Sequence, residues 1–371
     1  VKRLLVGFAV VCGTIALFAT PAFAHATIQG SEPAQSASLP SGSPPRAVTV
    51  RFDQPVTVSA DSIQVFDGSG KRVKTGAVVS GKTADEITAP LPRLGDGTYV
   101  VTWRVVSSDS HPVQGAFTFG VGAAAGSSAD IQGLLAKSAG DRTVGLLFGL
   151  DRALAFLGTL VLVGGLAFVR WWWPDASVRR DITRLLLLAA VVTVVSALAG
   201  IALQGAYASG GGLSTVLDWS QIRAVLHTHF GKAWLLRAFL ALGLLAFARL
   251  VPRRGRAGLL GDVLFAGLGI LTLETFTYAG HGNTGRWVPL GTAADLAHLG
   301  GAALWLGGLV VVAWGLRDPE QPRGAAGAVE RFSQVALPAI VVVVLSGTVQ
   351  AWRQVGTWWA LWHTTYARLL V

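Results

Sequence analysis

The chain has 371 residues, long enough for two or more domains, and 52% of them are hydrophobic against 13% charged. A mean hydropathy of +0.54 excludes a wholly soluble globular protein. The 30 Lys and Arg exceed the 20 Asp and Glu, but many of the arginines lie in short loops between long apolar runs, a membrane-topology pattern that argues against nucleic acid as a partner. Sulfur chemistry is also excluded from the mature chain. There is no methionine, and the one cysteine, Cys12, lies in a segment expected to be removed. Any metal would then be held by His, carboxylate or amine, a donor set suited to Cu(II), Ni(II) or Zn(II).

Residues 1–24 read as a signal peptide. Lys2 and Arg3 precede an apolar run from Leu4 to Phe18, and Ala22-Phe23-Ala24 forms an A-x-A cleavage site. Cleavage after Ala24 leaves His25 with a free α-amine and an imidazole on one residue. An α-amine has a pKa of about 7.7–8.0, so a metal can displace its proton near neutral pH. The competing reading is that His25 is simply the residue after a cleavage site.

Residues 25–121 predict an all-β domain, an immunoglobulin-like or Greek-key sandwich. Alternating runs recur at Val48/Val50/Phe52, Ile63/Val65, Val101/Trp103/Val105 and Phe117/Phe119/Val121. Turn signals separate them at 41–45, 67–70 and 95–97. Before the last strand lies Ser107-Ser108-Asp109-Ser110-His111-Pro112. In an extended segment Asp109 and His111 project to one side and can close on one ion. The alternative is an Asp bonded to its own turn beside a solvent-facing His.

With His25 at a cleavage site and Asp109-x-His111 before the final strand, this domain resembles the copper-resistance protein CopC family. The residues that carry the likeness are His25-Ala26-Thr27-Ile28, Ser31-Glu32-Pro33-Ala34, Asp109-Ser110-His111-Pro112 and Gly115-Ala116-Phe117-Thr118-Phe119. The resemblance implies a Cu(II) site formed by the His25 amine and imidazole, His111 and Asp109. Some relatives also have a methionine-rich Cu(I) site, which the absence of methionine excludes here.

Residues 122–142 read as a linker with one short helix. Six apolar runs follow, near 144–169, 183–207, 233–251, 258–279, 292–316 and 334–353, each about long enough to cross a hydrocarbon core of ~30 Å. Six in succession predict a polytopic helix bundle rather than buried core helices. Arg170/Arg179/Arg180, Arg253/Arg254/Arg256 and Arg317/Arg323/Arg331 fall in alternate loops. These loops are expected to be cytoplasmic, with the β-domain outside. His227, His229, His281, His298 and His363 then all fall at the outer side, as a metal entry route would require; surface histidines placed by chance are the alternative. Glu274, Tyr278 and His281 share a helical face, as do Asp295 and His298. Ionisable groups at membrane depth usually mark ion pathways. Asp151-Arg152 reads equally as a structural ion pair. The glycine pairs Gly164/Gly165, Gly300/Gly301 and Gly307/Gly308 are expected to permit close helix packing.

Tyr278-Ala279-Gly280-His281, Asp295-Leu296-Ala297-His298, Leu304-Trp305-Leu306-Gly307-Gly308, Arg331-Phe332-Ser333 and Ser346-Gly347 resemble the CopD family of membrane proteins. A CopC domain joined to a CopD domain is similar to the YcnJ-type fusion, associated with copper uptake across the cytoplasmic membrane. The resemblance implies copper import without enzymatic activity. Its carry-over is firmest for His281 and His298.

An internal repeat aligns Arg152-Ala-Leu-Ala-Phe-Leu-Gly…Gly164-Gly165 with Asp295-Leu-Ala-His-Leu-Gly-Gly…Gly307-Gly308. Leu198–Gln204 likewise echoes Leu345–Gln350, and His227–Lys232 echoes His363–Arg368. This reads as a duplicated four-span unit, so an eight-span architecture with about two spans missing after Val371 is expected. Four functional classes follow: copper import, copper sequestration or sensing without transport, a histidine-brace copper oxidase, and haem ligation by His281 and His298. No ATPase motif is apparent. An extracytoplasmic copper donor is a compatible partner.

Overall fold

A computed structural model describes residues 26–58, 61–81, 83–107, 112–123, 133, 140–250, 255–279, 287–317 and 322–355. The chain divides into two compact units. One combines the β-domain and the chain up to Asp151 with Ala199–Lys232; the other combines Arg152–Leu198 with the helices from Ala233 onward.

The β-domain is the expected sandwich. Its first sheet has the order β1 (Ile28–Glu32), β3 (Ala47–Phe52), β8 (Glu86–Pro90), β7 (Val79–Ser80). The second runs β2 (Ser38–Leu39), β10 (Pro112–Val121), β9 (Gly97–Ser107), β5 (Ile63–Asp67), β6 (Arg72–Val73), with β4 (Val56–Thr57) also paired to β9. All pairings are antiparallel except β2 with β10. The alternating residues read from the sequence meet between the sheets: Val48, Val50, Phe52, Ile63, Val65, Val101, Trp103, Val105, Phe117, Phe119 and Val121 are all buried in one core. Phe52 meets Trp103 edge to face at 5.2 Å, and Tyr99 stacks on Phe119 at 5.3 Å. Gly115 stands opposite Trp103 in the β9–β10 ladder, where a Cβ would come within 2.5 Å of the indole. The first glycine of Gly-x-Phe-x-Phe is thus the space in which the tryptophan lies.

β9 is buried on both faces. Arg104 points away from the sandwich core and donates to the main-chain carbonyls of Tyr207 (2.8 Å) and Ala208 (3.1 Å), and to Gln114 Oε1 (3.1 Å). Those carbonyls are in the last turn of helix α2, where no helical N–H remains to satisfy them. Burial pushes the guanidinium pKa below its usual value.

The helical elements are α1 (Arg142–Trp171), α2 (Arg180–Ser209), α3 (Trp219–His227), α4 (His229–Leu250), α5 (Gly255–Tyr278), α6 (Val288–Ala302), α7 (Gly308–Gly315) and α8 (Pro322–Val355). A wide π turn, Ala303–Gly307, joins α6 to α7 into one span. Among the described residues six helical stretches are long and apolar enough to cross a membrane, and they coincide with the six expected runs: Arg142–Trp171, Arg180–Ser209, His229–Leu250, Gly258–Tyr278, Val288–Gly315 and Gly327–Arg353. The chain is a multi-pass membrane protein.

The glycines expected to permit close packing do so at Gly164/Gly165, Gly307/Gly308 and Gly301, whereas a Cβ on Gly300 would meet nothing within 4 Å. Gly164 backs onto the Ala303 carbonyl so closely that no side chain could be accommodated, and a Cβ on Gly307 would lie 2.5 Å from the Gly165 nitrogen. α1 and the α6–α7 span therefore cross backbone to backbone, at the positions the internal repeat equates. α8 packs along α6, and α5 against α6. At the C-terminal end of α1, Arg170 is buried, bonds Asp262 at 2.6 Å and lies against the Phe265 ring. Arg179 bonds Asp181 (2.9 Å) and the Gly315 carbonyl, and Arg331 bonds the Trp172 carbonyl. Several arginines of the first and third arginine-rich loops thus also tie helix ends together.

Candidate metal centre

Of the three residues expected at the β-domain site, His25, Asp109 and His111 all lie outside the described residues. Their immediate neighbours are described, and these fix where the two segments begin. Ala26 is 4% exposed and belongs to the sandwich core. Thr27 is exposed but held at three points. Its N–H and hydroxyl donate to the two carboxylate oxygens of Asp53 at 2.8 and 2.7 Å, and its carbonyl accepts from the Asp53 N–H at 3.0 Å. β1 then runs antiparallel to β3 from Ile28 onward.

The second segment is the connection between β9 and β10. Pro112 of β10 faces Val106 of β9 across the ladder. Ser107, the last residue of β9, pairs with Val56 of β4. Asp53 and Val56 are three residues apart, a reach of at most about 10 Å. Thr27, two residues after His25, and Ser107, two residues before Asp109, are therefore anchored to one short stretch of chain. Asp53 was not anticipated from sequence. Its only local signal is a carboxylate just past a strand end, and its partner is 26 residues away.

His227, His229, Glu274, Asp295 and His298 are described; His281 and His363 lie outside the described residues. His227 closes α3 and His229 opens α4, both exposed. Between them Thr228 donates to the Val225 carbonyl (2.6 Å) and accepts from the Gly231 N–H (3.1 Å), ending one helix and starting the next. The two histidines thus flank a tight corner.

Glu274 and Asp295 are half-buried and interact electrostatically with one another, and Asp295 also interacts with Arg353. Arg353 is 7% exposed and occupies the space left by the missing side chain of Gly291, donating to Gln350 Oε1 at 2.9 Å. His298, one turn along α6 from Asp295, is half-buried against α8, with Nδ1 3.0 Å from the Val343 carbonyl oxygen and 3.3 Å from Ser346 Oγ. Among the described residues no group of three or more His, Cys, Asp and Glu is gathered closely enough to hold a metal ion. The described membrane residues thus place two interacting carboxylates on α5 and α6, with His298 one turn further along α6.

A β-sandwich preceding a membrane bundle that carries acid and imidazole groups defines a cation-handling membrane protein class. Residues 28–122 match the CopC domain, residues 143–287 the copper resistance protein D-like N-terminal domain, and residues 326–371 copper resistance protein D. The chain belongs to the CopC–CopD copper-resistance family, with both kinds of domain on one chain. It is 29% identical over 365 residues to the copper transport protein CutJ of Bacillus subtilis (strain 168), covering 94% of this chain and 65% of CutJ. The chain thus spans about two thirds of the length of that relative. It is 32% identical over 204 residues to the inner membrane protein YebZ of Escherichia coli (strain K12), covering 52% of this chain and 67% of YebZ. Among solved structures, the crystal structure of CopC from Methylosinus trichosporium OB3b is 30% identical, covers 26% of this chain and 93% of that one, and has a TM-score of 0.24.

Proposed function

We propose that this protein captures Cu(II) on the outer face of the cytoplasmic membrane and passes copper inward through its helical bundle. The observation that carries the capture step is the shared anchorage of the two ligand-bearing segments. Thr27 is pinned to Asp53, and Ser107 is paired with Val56. His25 would bring an amine and an imidazole, Asp109 a carboxylate and His111 a second imidazole. Three nitrogens with one oxygen suit a tetragonal Cu(II) ion. With both segments started from one edge of a rigid sandwich, little chain entropy remains to be lost when the ion closes the ring of ligands.

The membrane step rests on Glu274, Asp295 and His298, with His281, His227, His229 and His363 as further donors along the outer side. Paired carboxylates raise the local concentration of cations, and an imidazole takes copper in either oxidation state. Copper is cargo in this reading, and the protein performs no catalytic turnover. The arginine-rich loops support a β-domain on the outer side. The name of CutJ supports transport over sequestration.

The test is Cu(II) EPR on the full-length processed protein, with and without one extra residue before His25. A tetragonal, nitrogen-rich signal that changes when the amine is displaced by the extra residue supports capture by the new N-terminus. Identical spectra remove His25 from the site. Cellular copper that is unchanged on deletion of the gene argues for sequestration in place of import.

A further inference from the structure

His298 meets α8 through one ring nitrogen only. Nδ1 lies 3.0 Å from the Val343 main-chain oxygen, and a carbonyl oxygen can only accept. The hydrogen must therefore be on Nδ1. Ser346 Oγ is also near Nδ1, at 3.3 Å, but its own hydrogen has a better destination in the Val342 carbonyl at 2.5 Å. In the neutral ring a proton on Nδ1 leaves Nε2 with an open lone pair. Among the described residues Nε2 takes part in no hydrogen bond.

The Val343 carbonyl is an unusual partner because it sits in the middle of a long helix. Its helical donor is the N–H of Gly347, four residues on. Side chains in a helix lean back over the preceding turn, so any side chain at position 347 would lie across that carbonyl. Gly347 has none. A Cβ there would come within 3.3 Å of His298 Cε1 and 3.4 Å of Nδ1, so the ring would have to shift by a few tenths of an ångström. Glycine is a poor residue for a helix interior, and this contact accounts for its presence.

We infer that Gly347 uncovers the Val343 carbonyl so that α8 fixes His298 as its Nδ1–H tautomer and presents Nε2 as the metal-binding nitrogen. Gly347 and Val343 are positioning residues, and Ser346 is a spectator that bonds its own helix. The ligand is a copper ion arriving past Glu274 and Asp295, so this inference rests on the proposed transport reading for its ligand, though not for its tautomer. It gives Gly347 of the Ser346-Gly347 pair a chemical task.

The experiment is solid-state 15N NMR of the full-length chain in lipid, with ring-labelled histidine, first free of copper and then with copper added. His298 is assigned as the signal lost in His298→Gln. The expected copper-free signal has a protonated Nδ1 and an unprotonated Nε2, and copper perturbs Nε2. Gly347→Ala is expected to mix or reverse the tautomer and to weaken copper binding at this site about 10- to 100-fold, the range for loss of a partner that orients a ligating histidine. Ser346→Ala should leave the tautomer as it was. A wild-type signal with the proton on Nε2 overturns the inference, as does an unchanged tautomer in Gly347→Ala. Because the wild-type spectrum needs no variant, misfolding of Gly347→Ala does not shield the idea. An Nδ1–H tautomer whose Nε2 ignores copper overturns the ligand role of His298, and with it the membrane half of the transport reading, while the tautomer lock stands.

Discussion

Two hydrogen bonds to the Asp53 carboxylate and one backbone bond fix Thr27, two residues from the proposed ligand His25. A metal ligand at a chain terminus normally loses its freedom only when the ion binds, at the expense of affinity. Asp53 removes part of that freedom in advance, because Thr27 is tied to it through both carboxylate oxygens. Asp53→Ala should therefore weaken Cu(II) at the β-domain site by about tenfold, on the scale of the ~1 kcal/mol lost with each such bond. The fold should be little affected, since β1 keeps its pairing with β3. Competition titration with a copper chelator, alongside a thermal melt, separates the two effects; an unchanged affinity would mean that the terminus is ordered by the ion alone.

Among the elements, the crossing of α1 with the α6–α7 span is the contact least tolerant of change. Gly164 and Gly307 bring two backbones together with no side chain between them, and the π turn directs the Ala303 carbonyl at Gly164. Gly164→Ala has nowhere to place its methyl except into that carbonyl, so both helices must separate. A loss of about 3 kcal/mol or more is expected, the upper end of overpacking costs. The measurement is a thermal shift in detergent, with Gly267→Ala, which meets nothing within 4 Å, as the comparison inside another span. Equal behaviour of the two variants would show that the crossing yields easily. The sequence carried part of this: Gly164/Gly165 and Gly307/Gly308 were legible as packing glycines because they recur in the repeat. That the two pairs pack on each other was not, because nothing local relates residues 164 and 307.

At the scale of the whole molecule, what the sequence makes legible divides by range. The strands of the sandwich and the six spans follow from periodicity and run length, which are properties of neighbouring residues, and both appear where expected. The contacts that aim the site are long-range pairings: Thr27 with Asp53, His298 with Val343, Arg104 with Tyr207 and Ala208. No local pattern encodes them, and each uses a residue type (Asp, a carbonyl, Arg) that serves many other ends. The arginine asymmetry that sets orientation is partly absorbed by helix-end bonds of Arg170, Arg179 and Arg331, so it deserves a direct check. With Cys12 replaced or cleaved away, single cysteines at Ser177 and Ser214 fall in successive loops. An impermeant thiol reagent applied to intact cells should label Ser214→Cys and spare Ser177→Cys; the opposite pattern would put the β-domain inside. One consequence concerns the span that carries Asp295 and His298. Its π turn holds a surplus residue, so the outer and inner halves of that span keep separate rotational phases. A one-residue deletion within 303–307 would be absorbed by reverting the turn to ordinary α-helix. The same deletion between His298 and Ala302 would swing the acid and the imidazole by about 100° around the helix axis, away from α8. The wide turn is therefore where this helix could lengthen or shorten in evolution without turning Asp295 and His298 out of line.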